Sequence, residues 1–293
     1  MNVDAASLAN EVAAIAKKVT NLPTLPTVYT TLCEVMNNPH STIADVVETI
    51  SGDKATVSRV LRLVNSAAYG LNKRVDTVSQ AVVLIGVQEV RNLVLGSSVM
   101  TVFEDSDGLQ GMTPELFWEH CIGVGLATRL LGRAAGMVDV ESLYVAGLLH
   151  DIGKLFFMSN MREDYARVLK LANREKLSVA TAEKRILGVD HTEAGAQLAE
   201  HWRLPEYLRQ VIRSHHRLPA TSANKTIIAI VHVADYWVRA LAMGNPGDNL
   251  VKHPREEAWK IITLRNDTFE KMTPLLVREH RQVVNQLMMA QAD

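Results

Sequence analysis

Cysteine is nearly absent from this sequence of 293 residues, which contains only Cys33 and Cys121. The two cysteines lie far apart and no second pair accompanies them. The sequence therefore predicts neither a disulfide framework nor a zinc site built from cysteines. A chain without such bonds fits a reducing compartment, and we expect a cytoplasmic protein.

A surplus of charge is absent as well, because the formal net charge is -1 and the pI is about 6.8. Proteins that bind nucleic acid or anionic membranes usually carry a basic face. We therefore expect neither partner. Residues 1–19 lack the basic region, apolar core and cleavage site of a secretory signal, and they predict an amphipathic helix instead.

The sequence has no apolar run that is long enough to cross a membrane. Its most apolar segment, TIIAIVHVADYWV at 226–238, is too short for a span and is interrupted by His232 and Asp235. No transmembrane helix is expected.

Strand-like alternation is missing too, and apolar residues recur instead at spacings of three and four. Val57, Val60, Leu61 and Val64 show this spacing within an expected helix over 54–70. The pattern predicts an all-α protein, and the apolar fraction of 47% is ample for a core.

A polar segment that contains glycine, EDSDGLQGMTP at 104–114, is the best candidate for a domain boundary. It separates an N-terminal helical part, 1–105, from a second helical part, 106–293, whose last helices lie within 255–293. In the second part we expect one continuous helix over ESLYVAGLLHDIGKLFFM, at 141–158.

Several polar side chains stand on apolar helix faces in the second part. The segment GLLHDIGKLFF, at 147–157, places His150, Asp151 and Lys154 among glycine and large apolar residues. A buried carboxylate without a partner costs several kcal/mol. Further candidates for inward-facing ligands on other helices are His120, His191, His215, His216 and Asp235.

Metal binding is the chemistry that needs such a set. Imidazole nitrogens and carboxylate oxygens are the ligands that suit iron, manganese and zinc, and a cation would give Asp151 its partner. One carboxylate can also bridge two metal ions roughly 3.5–4 Å apart, an arrangement used for phosphate ester hydrolysis. Lys154, one turn after His150, would then meet a phosphate.

Simpler interpretations remain open for each residue. His120 can be a core histidine that is hydrogen-bonded to a carbonyl. Asp151 can cap a helix or pair with Arg129 or Arg133.

The other candidates also have structural alternatives. Asp235 can pair with Arg239, His215 and His216 can complement the dipole of an ordinary helix C-terminus, and Lys154 alone can be a solvated lysine. The remaining histidines are expected to be structural: His40, His201, His232, His253 and His280.

The order His120, His150-Asp151, Asp235 resembles the H…HD…D signature of the HD superfamily, whose members bind metal for phosphohydrolase chemistry. GLLHDIGK is similar to the central motif of that superfamily. The additional histidines resemble those that hold a second metal in the HD-GYP cyclic-di-GMP phosphodiesterases, but the segment after them, RLPATSANK, lacks a Gly-Tyr-Pro element. These additional histidines are His191, His215 and His216.

The segments 22–70, 75–99 and 188–216 resemble HDOD domains, and the similarity covers about residues 20–240. The resemblance implies an HD-like helical domain preceded by an N-terminal helical HDOD subdomain. It also implies a bacterial signal-transduction module, which in many members has lost metal ligands and acts through protein contacts. This sequence keeps a full set of ligand-type residues.

The resemblance assigns ligands to two metal ions and gives catalytic roles to Asp151 and Lys154. Of these two residues, Lys154 would contact the phosphate. The first metal would be bound by His120, His150, Asp151 and Asp235, and the second by Asp151, His191, His215 and His216.

Two functions follow from these expectations. The favoured one is a regulatory protein with a signalling protein partner, because no arginine clamp is evident near the ligands. The alternative is an active phosphohydrolase or phosphodiesterase that uses one or two divalent ions, iron or manganese, on a nucleotide, cyclic dinucleotide or other phosphate ester.

Overall fold

A computed structural model of the protein describes residues 22–66, 69, 71, 73–104, 107–219, 221–248 and 250–288. Within these residues the regular structure is helical, with one isolated bridge between Leu109 and Met112. The predicted all-α fold is confirmed. The amphipathic helix predicted over 1–19 lies outside the described residues. Across the described chain, no helix combines the length and the hydropathy that a bilayer span requires.

The N-terminal part forms a layer of short helices. They are α1 (Thr27–Asn37), α2 (Ile43–Ser51), α3 (Lys54–Val64), α4 (Val78–Ile85) and α5 (Val87–Val102). Thr42 caps α2 in a capping box with Asp45. Gly86 separates α4 from α5 because its φ of 87° lies in the left-handed region that favours glycine.

The expected helix over 54–70 ends earlier, at Val64. The side chain of Asn65 donates to the carbonyls of Leu61 and Val75 at 2.8 and 2.7 Å, and it accepts from the Val75 N–H at 2.7 Å. These bonds satisfy the end of α3 and tie the following segment to it, so the helix stops here.

The second part contains longer helices around a central one. They are α6 (Pro114–Ala134), α7 (Glu141–Leu149), α8 (Ile152–Asn160), α9 (Arg162–Glu175), α10 (Val179–Leu187), α11 (His191–His201), α12 (Glu206–Ser214), α13 (Lys225–Ala240), α14 (Glu256–Ile261) and α15 (Thr268–Met288). The central helix, α6, is buried along most of its length and packs against α7, α13 and α15.

The expected continuous helix over 141–158 is wrong, because the chain breaks between α7 and α8. His150 ends α7, and Asp151 stands just before α8 with a non-helical φ of -103°. The break turns both side chains away from the helix axes and towards the neighbouring helices.

The two parts share one continuous apolar core. Helix α5 packs against α7, and α15 returns from the C-terminal side to pack against α3. The division of the chain near residue 105 stays a prediction.

Candidate metal centre

The seven ligand candidates converge into two adjacent clusters. The first cluster contains His120, His150 and Asp235, and the second contains Asp151, His191, His215 and His216. Within each cluster, the potential ligand atoms all lie within 4.8 Å of one another. All of these side chains are buried except His216, which is half-buried.

Different helices bring these residues together. In the first cluster, His120 comes from α6 and Asp235 from α13, whereas His150 lies at the break between α7 and α8. In the second, His191 opens α11, and the two adjacent histidines follow the end of α12. The clusters are therefore a product of tertiary packing rather than of local sequence.

Glycines allow the helices to approach closely enough. A Cβ atom on Gly153 would lie 2.0 Å from the His191 carbonyl oxygen, and one on Gly147 would lie 2.8 Å from the Gly125 Cα. Since real Cβ atoms do not approach backbone atoms so closely, only glycine fits at these two positions. Helix α8 thus lies directly against the start of α11, next to the second cluster.

The carboxylate of Asp151 lies between the two clusters. Its Oδ2 is 3.3 Å from His150 Nε2 in the first cluster. Its Oδ1 is 3.2 Å from His191 Nε2 and 3.3 Å from His215 Nε2 in the second. One buried side chain therefore faces both clusters, each with a different oxygen.

Hydrogen bonds to the outer ring nitrogens orient two of the histidines. Nδ1–H of His150 donates to the Gly147 carbonyl at 2.7 Å, and Nδ1–H of His215 donates to the Ile212 carbonyl at 3.1 Å. Each bond fixes the tautomer in which Nε2 carries a lone pair that points into the clusters. Burial lowers the pKa of His215 to about 4, which favours the neutral form that a metal ligand needs.

Several buried polar atoms in the clusters make no hydrogen bond with any described residue. They are both ring nitrogens of His120, Nε2 of His150 and His215, and Oδ1 of Asp151. Buried polar atoms normally have hydrogen-bond partners. The atoms that lack one here belong to imidazole rings and a carboxylate. This donor set fits a divalent transition-metal ion. The alternative in which His120 is hydrogen-bonded to a carbonyl is wrong.

Sequence reasoning missed Glu183, which supports the second cluster from α10. Its Oε2 accepts from the backbone N–H of His191 at 2.8 Å and from Nδ1–H of the same residue at 2.6 Å. Burial lowers the pKa of His191, but Glu183 and Asp151 outweigh it and raise that pKa to about 10. A signal was present, since Glu183 shares an apolar helix face with Val179 and Ala182.

We expect the Glu183→Gln variant to bind divalent metal about 10–100-fold more weakly, the usual cost of losing an outer hydrogen-bond partner of a histidine ligand. The neutral amide would hold the Nδ1 proton of His191 less strongly, and Nε2 would be a poorer donor. Competition with a fluorescent chelator measures the affinity. Glu200→Gln, at an exposed position on α11, is the control. Equal affinities for the two variants would contradict a supporting role for Glu183.

Lys154 is buried against Asp151, at only 2% exposure. Its Nζ donates to Asp151 Oδ2 at 2.7 Å. Burial lowers the pKa of Lys154, but the Asp151 carboxylate outweighs it, so the pKa is raised. Burial likewise opposes ionisation of Asp151, yet His150 and Lys154 hold its pKa well below the usual range. The interpretation of Lys154 as a solvated lysine is therefore wrong, and its contact with phosphate stays a prediction.

Asp235 contacts both a ligand candidate of its own cluster and the arginine that the sequence offered as its partner. Its Oδ1 lies 3.3 Å from His120 Nε2 and 3.2 Å from Arg239 Nε. Arg239 Nη1 is also 3.3 Å from Asp248 Oδ2, so this arginine joins two carboxylates. Burial raises the pKa of Asp235, but Arg239 and His120 hold it well below its usual range.

Two histidines outside the clusters have structural partners, as expected. Nδ1–H of His232 donates to the His215 carbonyl at 2.7 Å, and its Nε2 accepts from the Arg255 N–H at 3.0 Å. Nε2–H of His280 donates to the Glu119 carbonyl at 3.0 Å.

A cleft of about 690 Å³ opens beside the clusters, where His216 and Asp235 contribute to its wall. Lysine and arginine side chains are the most frequent charged groups in the rest of that lining, although the sequence showed no arginine clamp near the ligands. These cations come from separate segments of the chain, so no sequence motif predicted that they would lie together. These residues are Lys184, Arg185, Arg217, Arg239, Lys252 and Arg255.

Comparison with known proteins now adds to this geometry. The family model of the HDOD domain matches residues 22–218. The chain belongs to the HDOD family. Asp235 and the cleft residues between His232 and Arg255 lie beyond the matched HDOD region.

A relative of this HDOD protein matches its sequence over most of the chain. An "Uncharacterized protein" from Treponema pallidum (strain Nichols) is 30% identical over 240 residues, which are 81% of this chain and 46% of that protein. The chain thus spans about half the length of this relative.

Two solved structures are similar throughout. An HDOD domain protein with unknown function from Geobacter sulfurreducens superposes with a TM-score of 0.80 at 24% identity, over 96% of this chain and 98% of that one. A "Putative phosphohydrolase" from Shewanella amazonensis SB2B gives a TM-score of 0.73 at 25% identity, over 98% of this chain and all of that one (100%).

Proposed function

We propose that this HDOD protein is a metal-dependent phosphohydrolase that acts on a phosphate ester. One observation carries the proposal: the buried carboxylate of Asp151 faces both His/Asp clusters, at the edge of a cleft lined by cations. A carboxylate shared in this way suits a pair of divalent ions, and the cations beside it suit an anionic substrate.

Iron or manganese is the metal we propose, as one or two ions, because imidazole and carboxylate ligands suit both. When bound, such an ion polarises the phosphate and lowers the pKa of a coordinated water. The first ion would be bound by His120, His150, Asp151 and Asp235, and the second by Asp151, His191, His215 and His216.

The protein's other residues would keep these ligands in place. Lys154 holds Oδ2 of Asp151, Glu183 holds the Nδ1 proton of His191, and the guanidinium of Arg239 lies against Asp235. Since the contacts of Lys154 and Glu183 are buried, they would fix the direction of each ligand without competition from water.

The substrate class is a phosphate ester that includes nucleotides and cyclic dinucleotides. The cleft meets the clusters at His216 and Asp235, so an ester that enters it would place a phosphate beside the proposed ions. The description of the Shewanella amazonensis protein as a "Putative phosphohydrolase" supports the same reaction class. The missing Gly-Tyr-Pro element after His216 gives no reason to prefer cyclic-di-GMP within this class.

Hydrolysis of p-nitrophenyl phosphate and bis(p-nitrophenyl) phosphate, with iron or manganese supplied under anaerobic conditions, tests the proposal. We expect turnover by the native protein and by His201→Ala, whose side chain is exposed on α11. The His191→Ala variant should be at least about 100-fold slower, because loss of a ligand should exceed the cost of losing an outer-shell partner. Equal rates for all three proteins, on these esters and on a nucleotide panel, would reject the proposal.

A regulatory role through a signalling protein partner is the second candidate. Three large apolar side chains in the N-terminal layer are exposed: Ile43 at 62%, Val83 at 82% and Leu84 at 56%. Exposed apolar groups of this kind suit contact with another protein. In this case the metal would hold the helices together, and a folded, metal-loaded protein would hydrolyse none of the esters.

A further inference from the structure

Most cations around the cleft already have acidic partners. Lys184 Nζ lies 3.5 Å from Asp190 Oδ2, and Arg217 Nη2 lies 3.1 Å from the same oxygen. Arg185 Nη1 lies 2.9 Å from Glu175 Oε2. The charge of these three side chains is therefore largely balanced within the protein.

Lys252 and Arg255 differ from these cations. Both line the cleft, both are exposed, and neither forms an ion pair with any residue that the structure describes. Both belong to residues 250–255, which we name the cleft segment. The lining of the cleft thus combines the ligand candidate His216 with two cations that form no ion pair among the described residues.

The cleft segment is tied to the scaffold of the metal centre. Near its start, the Leu250 carbonyl accepts a long hydrogen bond from Arg239 Nη1 at 3.5 Å. At its end, the Arg255 N–H donates to His232, which in turn donates to the carbonyl of His215 at 2.7 Å. These links hold the backbone of the segment relative to the second cluster, so the two cations have a defined place in the cleft.

An aromatic contact further anchors the middle of the segment. The His253 ring packs on Tyr236 of α13, with ring centroids 5.8 Å apart and an angle of 33° between the planes. Tyr236 directly follows the ligand candidate Asp235 in the chain. The contact therefore joins the cleft segment to the helix that carries a residue of the first cluster.

We propose that Lys252 and Arg255 bind a second anionic group of the substrate, while its scissile phosphate lies at the His216 end of the cleft. The substrate would then be a phosphate ester that carries a further phosphate or carboxylate. A volume of about 690 Å³ is much more than a single phosphate needs, and it falls in the range of sites for whole small molecules. This inference rests on the proposed function, because it takes the metal centre as the place of the scissile phosphate.

A matched pair of ligands tests the proposal by isothermal titration calorimetry on the metal-loaded full chain. Adenosine 3′,5′-bisphosphate carries one phosphate more than adenosine 5′-monophosphate, and the two are otherwise alike. We expect the Lys252→Ala/Arg255→Ala variant to bind the bisphosphate at least about tenfold more weakly, since hydrogen bonds between charged groups are stronger than neutral ones. Its affinity for the monophosphate should change less than about twofold, the level of a lost exposed charge.

The Lys260→Ala/Arg281→Ala variant is the control, because it removes one lysine and one arginine that are exposed and lie outside the cleft wall. It should bind both nucleotides like the native protein. The second anion site would be overturned if the cleft variant lost equal affinity for both nucleotides or bound the bisphosphate like the native protein. The same loss of bisphosphate affinity in the control variant would also overturn it.

Hydrolysis measured on the same proteins separates this inference from the proposed function. A selective loss of bisphosphate binding in a protein that hydrolyses no ester would support the anion site and reject the phosphohydrolase. Hydrolysis combined with unselective binding would do the reverse.

Discussion

The Asp151→Asn variant should lose its bound transition metal and its hydrolysis of phosphate esters together. Asparagine has nearly the same shape, but it replaces a charged oxygen that faces His191 and His215 by a neutral group. Loss of a residue that only hydrogen-bonds a metal ligand already lowers metal affinity about 10–100-fold. Because Asp151 is itself a candidate ligand, we expect the Asp151→Asn variant to bind metal more than about 100-fold more weakly. Elemental analysis of protein purified without an affinity metal column measures the metal content.

Asp190→Asn is the matched control for that experiment. Asp190 is another buried carboxylate, and it caps α11 by accepting from the backbone N–H groups of Thr192 and Glu193. Asparagine is an equally good N-cap residue, so this variant should fold and keep its metal. Helical circular dichroism shows whether both proteins are folded. Full metal content in a folded Asp151→Asn protein would show that this carboxylate does not join the clusters to a cation.

The Lys154→Met variant should unfold more easily than the native metal-free protein by about 3–5 kcal/mol, the usual cost of breaking a buried ion pair. Methionine fills a similar volume, but it leaves Oδ2 of Asp151 without the ammonium group that lies 2.7 Å away. Urea denaturation, followed by circular dichroism, gives the free energy of unfolding.

Lys271→Met provides a comparison with an exposed ion pair. Nζ of Lys271 on α15 lies 2.6 Å from Oδ2 of Asp267, but the two side chains are 68% and 33% exposed. Pairs of this kind contribute about 0–1 kcal/mol, so the control should lose little stability. Equal losses for the two variants would contradict a special role for the buried Lys154–Asp151 pair.

Metal binding should reduce the loss of unfolding free energy that the Lys154→Met substitution causes. A cation that contacts Asp151 supplies positive charge to the same buried carboxylate, and binding to the folded state alone adds stability. We expect the difference in the free energy of unfolding between native and variant protein to shrink when metal is in excess.

Much of the fold was predictable from the sequence because it depends on short-range chemistry. The spacing of apolar residues predicted helices throughout, since this pattern depends on residues only three or four positions apart. The side chain of Asn65 ended α3 sooner than apolar spacing suggested, because its hydrogen bonds reach Val75, ten residues further along the chain. Contacts of that range leave no periodic signal.

The candidate ligands were predictable for a related reason. A histidine or aspartate on an apolar face needs a partner, and this requirement singled out His120, Asp151 and Asp235 before any contact was known. The break between α7 and α8 was not predictable, since large apolar residues on the two sides of His150 and Asp151 keep a helical spacing, as Leu148, Ile152 and Leu155 show. The close approach of α8 to α11, where Gly153 meets the carbonyl of His191, is likewise a feature of tertiary packing.

By itself, the sequence determined the helical class of this protein and the set of side chains suited to metal. Only the tertiary structure decided that Asp151 faces both clusters, that Glu183 supports His191, and that six cations from distant segments line one cleft. The physical reason is the range of the forces. Helix formation and capping depend on residues within a few positions, whereas ligand clusters and charged clefts depend on how whole helices pack.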